Sequence, residues 1–246
     1  MPGTRASTRQ ILGMYALVCA AVYGATRLDR VPGLGQYVHL IVAAIFLLTA
    51  IRLTRRDPEH FGLALGGLLE PPTDERAAGP LGLFDLGRAL VAALPSSLRE
   101  TAVAIVVAAI VFPLYGVGYY FFAEPARDFQ LTLPPNLINL ALAQLLVVAL
   151  PEEAFFRGYV QSGLSDVEAR RVRILGVELA PSAWLLQAAL FAAIHFLVEP
   201  YPSRLAVFFP ALLFGWVRAW RGGIGAAIAL HAMSNLYSEI LARSWL

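Results

Sequence analysis

"NLINLALAQLLVVALPEEAFFRGYVQ" (136–161) is the stretch on which the fold turns. Its first fifteen residues carry no charge, yet Glu152, Glu153 and Arg157 follow inside the same apolar run. About 20 mostly apolar residues cross a bilayer as a helix, so the stretch predicts a transmembrane helix with ionisable groups at depth. Such groups are costly in hydrocarbon and normally face a bundle interior or a wet cavity.

The rest of the chain points the same way. Of 246 residues, 58% are hydrophobic and 15% charged, against about 25% charged in soluble domains, and the mean hydropathy is +0.65. This is the composition of an integral membrane protein. A net charge of +2, with no basic stripe interleaved with aromatics, argues against nucleic acid as a partner. Cys19 is the only cysteine, which rules out an internal disulfide, a cysteine metal cluster and a CxxC redox motif.

Seven apolar segments are long enough to be read as spans: Ile11–Thr26, Gln36–Leu53, Thr101–Ala123, Asn136–Gln161, Ser182–Val198, Leu205–Trp220 and Gly222–Leu241. The last two are separated only by "RGG" and predict a tight helical hairpin. The first follows Arg5 and Arg9, but no clear small-x-small cleavage site comes after it, so it reads as a span rather than a signal peptide. With the N-terminus in the cytoplasm, fourteen arginines fall inside and five (Arg27, Arg30, Arg127, Arg204 and Arg243) outside, as the positive-inside rule requires. "EPPTDERAAGP" (70–80) reads as a loop, and the interrupted apolar stretch 81–98 as an interfacial helix. The expected architecture is an all-α polytopic transmembrane bundle, one membrane domain over 1–246.

Three polar clusters break the apolar runs: Glu152, Glu153 and Arg157; His195 in "FAAIH" (191–195); and His231 with Asn235 in "HAMSN" (231–235). Glu153 and Arg157 are i,i+4 neighbours able to pair, which leaves Glu152, about 100° round the helix, without a local partner. His231 and Asn235 share the same spacing and can point at one spot. Counted from the cytoplasmic helix ends, Glu152, His195 and His231 lie roughly 13–17 Å deep at about 1.5 Å per residue. Three helices thus carry a carboxylate and two imidazoles to one level. His39 and His60 sit apart and receive no role.

A glutamate beside a histidine at a wet site can deprotonate water. A second histidine and an asparagine can donate to a developing oxyanion. Two histidines and a glutamate could equally hold zinc with an open water position, although no HExxH is present, and no GxSxG elbow offers a serine nucleophile. A proton-coupled transporter also uses buried Glu and His but favours internal repeats, which are not seen. A non-catalytic scaffold held together by the polar residues is the third reading.

"EEAFFR", "FAAIH" and "HAMSN" match EExxxR, FxxxH and HxxxN in order on successive helices. In this the chain resembles the CPBP intramembrane proteases, the CAAX protease and bacteriocin-processing family, with 136–240 as the catalytic core. The resemblance implies that Glu152 activates the attacking water with help from His195. It implies further that Glu153 and Arg157 support the site, that His231 and Asn235 form the oxyanion hole, and that Phe191 packs beside them. It implies a glutamate-dependent mechanism without a metal, although the family was long taken for metalloproteases and zinc stays open. The substrate implied is a membrane-anchored protein or peptide cut near its C-terminus, at a CaaX-like or sorting signal, in the cell (inner) membrane. The arginine-only composition looks bacterial, and the chain also resembles the myxosortase branch, described as removing C-terminal sorting signals; bacteriocin maturation or self-immunity is the family's other bacterial role.

Overall fold

Ser7 opens the first helix. Its backbone N–H donates to Gln10 Oε1 at 2.8 Å, and its hydroxyl accepts from the Gln10 N–H at 3.4 Å, a reciprocal cap for donors that have no partner at a helix start. The computed structural model describes residues 6–64, 83–125 and 128–245. The predicted loop 70–80, and Arg5, Arg76 and Arg127 of the arginine count, lie outside the described residues.

Among the described residues seven helices form one bundle. They are α1 (Thr8–Thr26), α2 (Val38–Thr54), α3 (Leu83–Ala123), α4 (Leu137–Val167), α5 (Pro181–Val198), α6 (Phe208–Arg221) and α7 (Gly225–Ser244). Each falls on one of the seven predicted segments, and the protein is a multi-pass helical membrane protein. Only α1 to α5 are long and apolar enough to cross a membrane by themselves. Helix α6 has 14 residues and ends in Arg218 and Arg221, and α7 carries His231, Ser234, Asn235, Ser238 and Glu239. These two are core elements: Phe214, Val217, Ala226, Ala227 and Leu230 pack with Ala104 and Ala108 of α3.

Two expectations change. The stretch 81–98 is not a separate interfacial helix, because from Leu83 it runs unbroken into the third span as a 41-residue helix that includes Pro95 and Pro113. Each proline removes one i→i−4 bond, but neither ends the helix. Between α4 and α5 the chain also makes an unforeseen antiparallel hairpin, β1 (Val172–Ile174) with β2 (Val177–Leu179). Its two-residue turn, Leu175–Gly176, has positive φ at both positions, the hairpin geometry that matches strand twist. The Trp216 indole N–H donates to the Ile174 carbonyl at 3.0 Å and pins the hairpin to α6.

The polarity of the bundle is inverted with respect to a soluble protein. Glu153 and Arg157 are 0% exposed, whereas Phe121, Phe122 and Ile138 are each more than 70% exposed, as lipid-facing side chains should be.

Helix α4 holds the site, and it is not a uniform α-helix. Residues Gln144–Ala149 and Ala154–Gln161 take wider π turns around the short α segment Leu150–Glu153. Pro151 gives a cause for the first of these, since it has no N–H to donate to residue 147 and its ring crowds that carbonyl. Single π turns of this kind are found most often at functional sites. The buried face of α4 packs Phe155 and Phe156 on Phe46 of α2, with ring centroids 5.5 and 5.7 Å apart.

The α6–α7 hairpin is as tight as "RGG" predicts. Gly222 ends α6 at φ +74°, and its N–H caps the Arg218 carbonyl at 2.9 Å. Gly62, at φ +70°, lies against this turn. A Cβ there would meet Gly223 Cα at 3.0 Å and the Gly222 oxygen at 3.1 Å, so only glycine allows the loop after α2 to accept the Ile224 N–H at 3.1 Å.

Candidate active site

Glu153 is the centre of the buried polar cluster. Its Oε1 lies 2.9 Å from Arg157 Nη1 on the same helix and 2.8 Å from His231 Nδ1 on α7. The i,i+4 pair expected from the sequence therefore forms, and it reaches across to a second helix. Glu153 and Arg157 are fully buried, and His231 nearly so. An uncompensated charge there would be severely penalised, and pairing is what makes its burial tolerable. Arg157 is held further by donation from Nη2 to the Ala211 carbonyl at 3.3 Å. Its guanidinium also lies over the rings of Phe191 and Phe214, 4.5 and 5.3 Å from their centroids, the cation–π arrangement.

Glu152 behaves differently. The ionisable group nearest to pairing with it is His231 Nε2 at 3.8 Å, outside hydrogen-bond range. Among the described residues its buried Oε2, like that of Glu153, has no hydrogen-bond partner. The imidazole of His231 thus stands between two glutamates, bonded through Nδ1 to one and facing the other with Nε2. Phe214 stacks on this ring at 4.9 Å and 19°, which fixes its plane.

On α5, His195 points Nδ1 at the Phe191 carbonyl, 2.8 Å away. A carbonyl can only accept, so Nδ1 carries a proton, and in the neutral ring Nε2 has the lone pair. Phe191 is packed beside the site as expected, its ring 4.4 Å from His195 and 5.9 Å from His231. His195 is half-buried, reached through Phe191 rather than through a direct bond to either glutamate.

The i,i+4 pair of α7 does not converge on one point. His231 binds Glu153, whereas Asn235 donates Nδ2–H to Gln144 Oε1 at 2.8 Å. Both partners lie on α4. His60 does acquire a contact, 2.8 Å from Asp166 near the end of α4, but away from the cluster. Among the described residues, no three His, Cys, Asp or Glu side chains are grouped so as to hold a metal ion.

Residues 134–237 match the family model of Rce1-like proteins, the type II CAAX prenyl endopeptidases. Over this segment, 104 of its 246 residues, the chain is similar to the CAAX protease family. No curated protein and no solved structure matches it. The matched segment starts before α4 and ends within α7, so it holds every residue of the buried cluster, and the likeness to CAAX-type proteases falls on the site itself.

Several residues of the site carried no motif. Gln144 is the partner of Asn235. Phe214 covers His231. Beneath Arg157, Gln187 donates to the Ala211 carbonyl at 3.2 Å and Gln161 to the Gly215 carbonyl at 2.9 Å. Gly215 is what lets them approach, since a Cβ there would lie 2.6 Å from Gln187 Nε2 and 2.8 Å from Gln161 Oε1. The signal that could have found the glutamines was already in use: each is a polar residue inside an apolar run, like the glutamates themselves.

Proposed function

We propose that this protein is a glutamate-dependent intramembrane endopeptidase that cleaves membrane-anchored protein substrates near the C-terminus. The observation that carries the reading is the contrast between two adjacent glutamates: Glu153 is engaged through Oε1 by both Arg157 and His231, while Glu152 makes no ion pair closer than 3.8 Å, to His231 Nε2, among the described residues. A carboxylate with a free lone pair next to a fixed imidazole is suited to take a proton from water.

In this mechanism Glu152, assisted by the lone pair on His195 Nε2, removes a proton from water as its oxygen attacks the scissile carbonyl. The proton then passes to the leaving amine as the C–N bond breaks. Glu153 and Arg157 hold the His231 ring in place through Nδ1. The oxyanion receives the second Asn235 Nδ2–H. It also receives His231 Nε2–H, which requires the ring to carry both protons, because Nδ1–H is committed to Glu153. The mechanism proposed uses no metal.

The substrate class proposed is a CaaX-like or C-terminal sorting signal, and the site of action the cell (inner) membrane with the N-terminus in the cytoplasm, as the arginine distribution favours. The test is deletion of the gene, comparison of the C-termini of membrane-anchored exported proteins by mass spectrometry, and complementation with wild type or Glu152→Ala. Wild type is expected to restore a shortened C-terminus and Glu152→Ala to leave it uncut. Processing unchanged by deletion would turn the reading towards a scaffold.

A further inference from the structure

The Asn235 amide is oriented by a residue that no motif marks. A free asparagine amide has a broad, roughly two-fold terminal torsion, so it can present either its oxygen or its NH₂ group to a neighbour. An oxygen turned towards a developing oxyanion would repel it. Gln144 breaks this symmetry, because its Oε1 sits 2.8 Å from Asn235 Nδ2 and can only accept. With one Nδ2–H held there, the amide cannot turn over without losing that bond, and the other Nδ2–H stays available.

The shape of α4 is what brings Gln144 to this position. In a straight α-helix, Gln144 and Glu153 are nine residues apart and fall about 180° from each other, on opposite faces. In this structure both reach α7, to Asn235 and His231. The π turn over Gln144–Ala149 lies between them. It winds by less per residue than an α turn, and so swings Gln144 towards the helix that Glu153 also faces. The wide turn and the Gln144–Asn235 bond are therefore two parts of one arrangement.

We propose that Gln144 is a positioning residue for hydrolysis, which holds the Asn235 amide with its free N–H towards the oxyanion. This rests on the reading of Asn235 as a transition-state stabiliser. Removing a donor of that kind costs about 10²–10³ in kcat, and loosening its orientation should cost less, roughly tenfold to a hundredfold.

The test uses the full chain reconstituted in lipid vesicles and an internally quenched prenylated CaaX peptide as probe. Gln144→Met keeps the length and removes the acceptor; Gln144→Glu keeps an acceptor oxygen. Melting temperatures in detergent are read first, and Gln144→Leu replaces Gln144→Met if the latter does not fold. Gln144→Met is expected to lower kcat roughly tenfold or more with KM unchanged, and Gln144→Glu to recover most of it. In an Asn235→Ala background, Gln144→Met should then cause no further loss. A full kcat in Gln144→Met, or a loss that simply multiplies that of Asn235→Ala, overturns the positioning role while leaving Asn235 in place. Full activity in Asn235→Ala alone removes the underlying reading and this inference with it.

Discussion

Two neighbouring carboxylates, Glu152 and Glu153, are placed so that one is structural in its contacts and the other is not. Glu153 is 0% exposed and forms one corner of a buried ion pair with Arg157; taking away one partner of such a pair leaves an unpaired charge and typically costs about 3–5 kcal/mol. Each glutamate has a buried Oε2 without a hydrogen-bond partner among the described residues, a cost to the folded state. Only Glu153 offsets it with close pairing, since Glu152 comes no nearer than 3.8 Å to His231 Nε2. The two isosteric changes should therefore separate. Glu153→Gln is expected to lower thermal stability in detergent strongly, whereas Glu152→Gln should leave it unchanged or raise it while abolishing cleavage. Equal destabilisation by both would place Glu152 among the structural residues. The sequence made the Glu153–Arg157 pairing legible because it lies within one helix. It could not show that His231 turns to Glu153 and Asn235 to Gln144, since those choices depend on how α7 is rotated against α4.

At the scale of the element, α4 and α5 show where spacing arguments hold and where they fail. Depth counting at a uniform α rise brought Glu152, His195 and His231 to one level, and His231 does contact the glutamates. The angular bookkeeping along α4 was less secure, because two π turns interrupt it and only Pro151 hinted at either. The start of α5 shows another signal spread across distance. No residue of its first turn supplies a side-chain cap; instead Glu168, thirteen residues before Pro181, accepts the Ser182 N–H at 3.1 Å and the Ala183 N–H at 2.9 Å. Desolvation pushes the Glu168 carboxyl upward, but these two bonds and nearby Arg171 outweigh it and hold its pKa below the ordinary carboxylate range. A carboxylate depressed in the folded state stabilises that state at pH values above its unfolded pKa, about 4.3, and the contribution is lost as pH falls through the lower folded value. Glu168→Ala should thus cost about 0.5–2 kcal/mol at neutral pH, the usual range for a lost N-cap. The gap between wild type and variant should close on acidification below about pH 4. Unfolding curves at pH 7 and pH 3.5 in the same detergent decide it; a gap that stays constant would mean that Glu168 acts by packing alone.

For the whole molecule, the question is what the first part of the chain does, since the family match begins at residue 134 and nothing before it carries a motif. The packing answers it. Phe46 of α2 lies against both Phe155 and Phe156, Ile11 of α1 closes on Gly163 and Leu63 on Gly158, and the Tyr15 hydroxyl donates to the Leu190 carbonyl of α5 at 2.8 Å. The loop after α2 adds His60 on Asp166, and the His60 carbonyl accepts from Arg218 Nη2 at 3.2 Å. Helices α1 and α2 therefore cover the side of α4 that turns away from α7, and they brace the helix that carries both glutamates. Lipid is as apolar as these side chains, so within the membrane such contacts act through close packing rather than through removal of surface from water. Close packing is the contribution that a lipid tail replaces poorly against the small residues Gly158 and Gly163. A chain lacking residues 1–64 is accordingly expected to fail as an enzyme even though it keeps every motif residue, and to elute from size exclusion in detergent as a broad, aggregated species. Supplying residues 1–64 as a separate polypeptide should recover a folded complex, because the contacts involved are made between side chains and need no covalent link. If the shortened chain instead cleaves the prenylated CaaX probe at the wild-type rate, the remaining residues hold the site without α1 and α2, and those two helices serve some purpose outside catalysis.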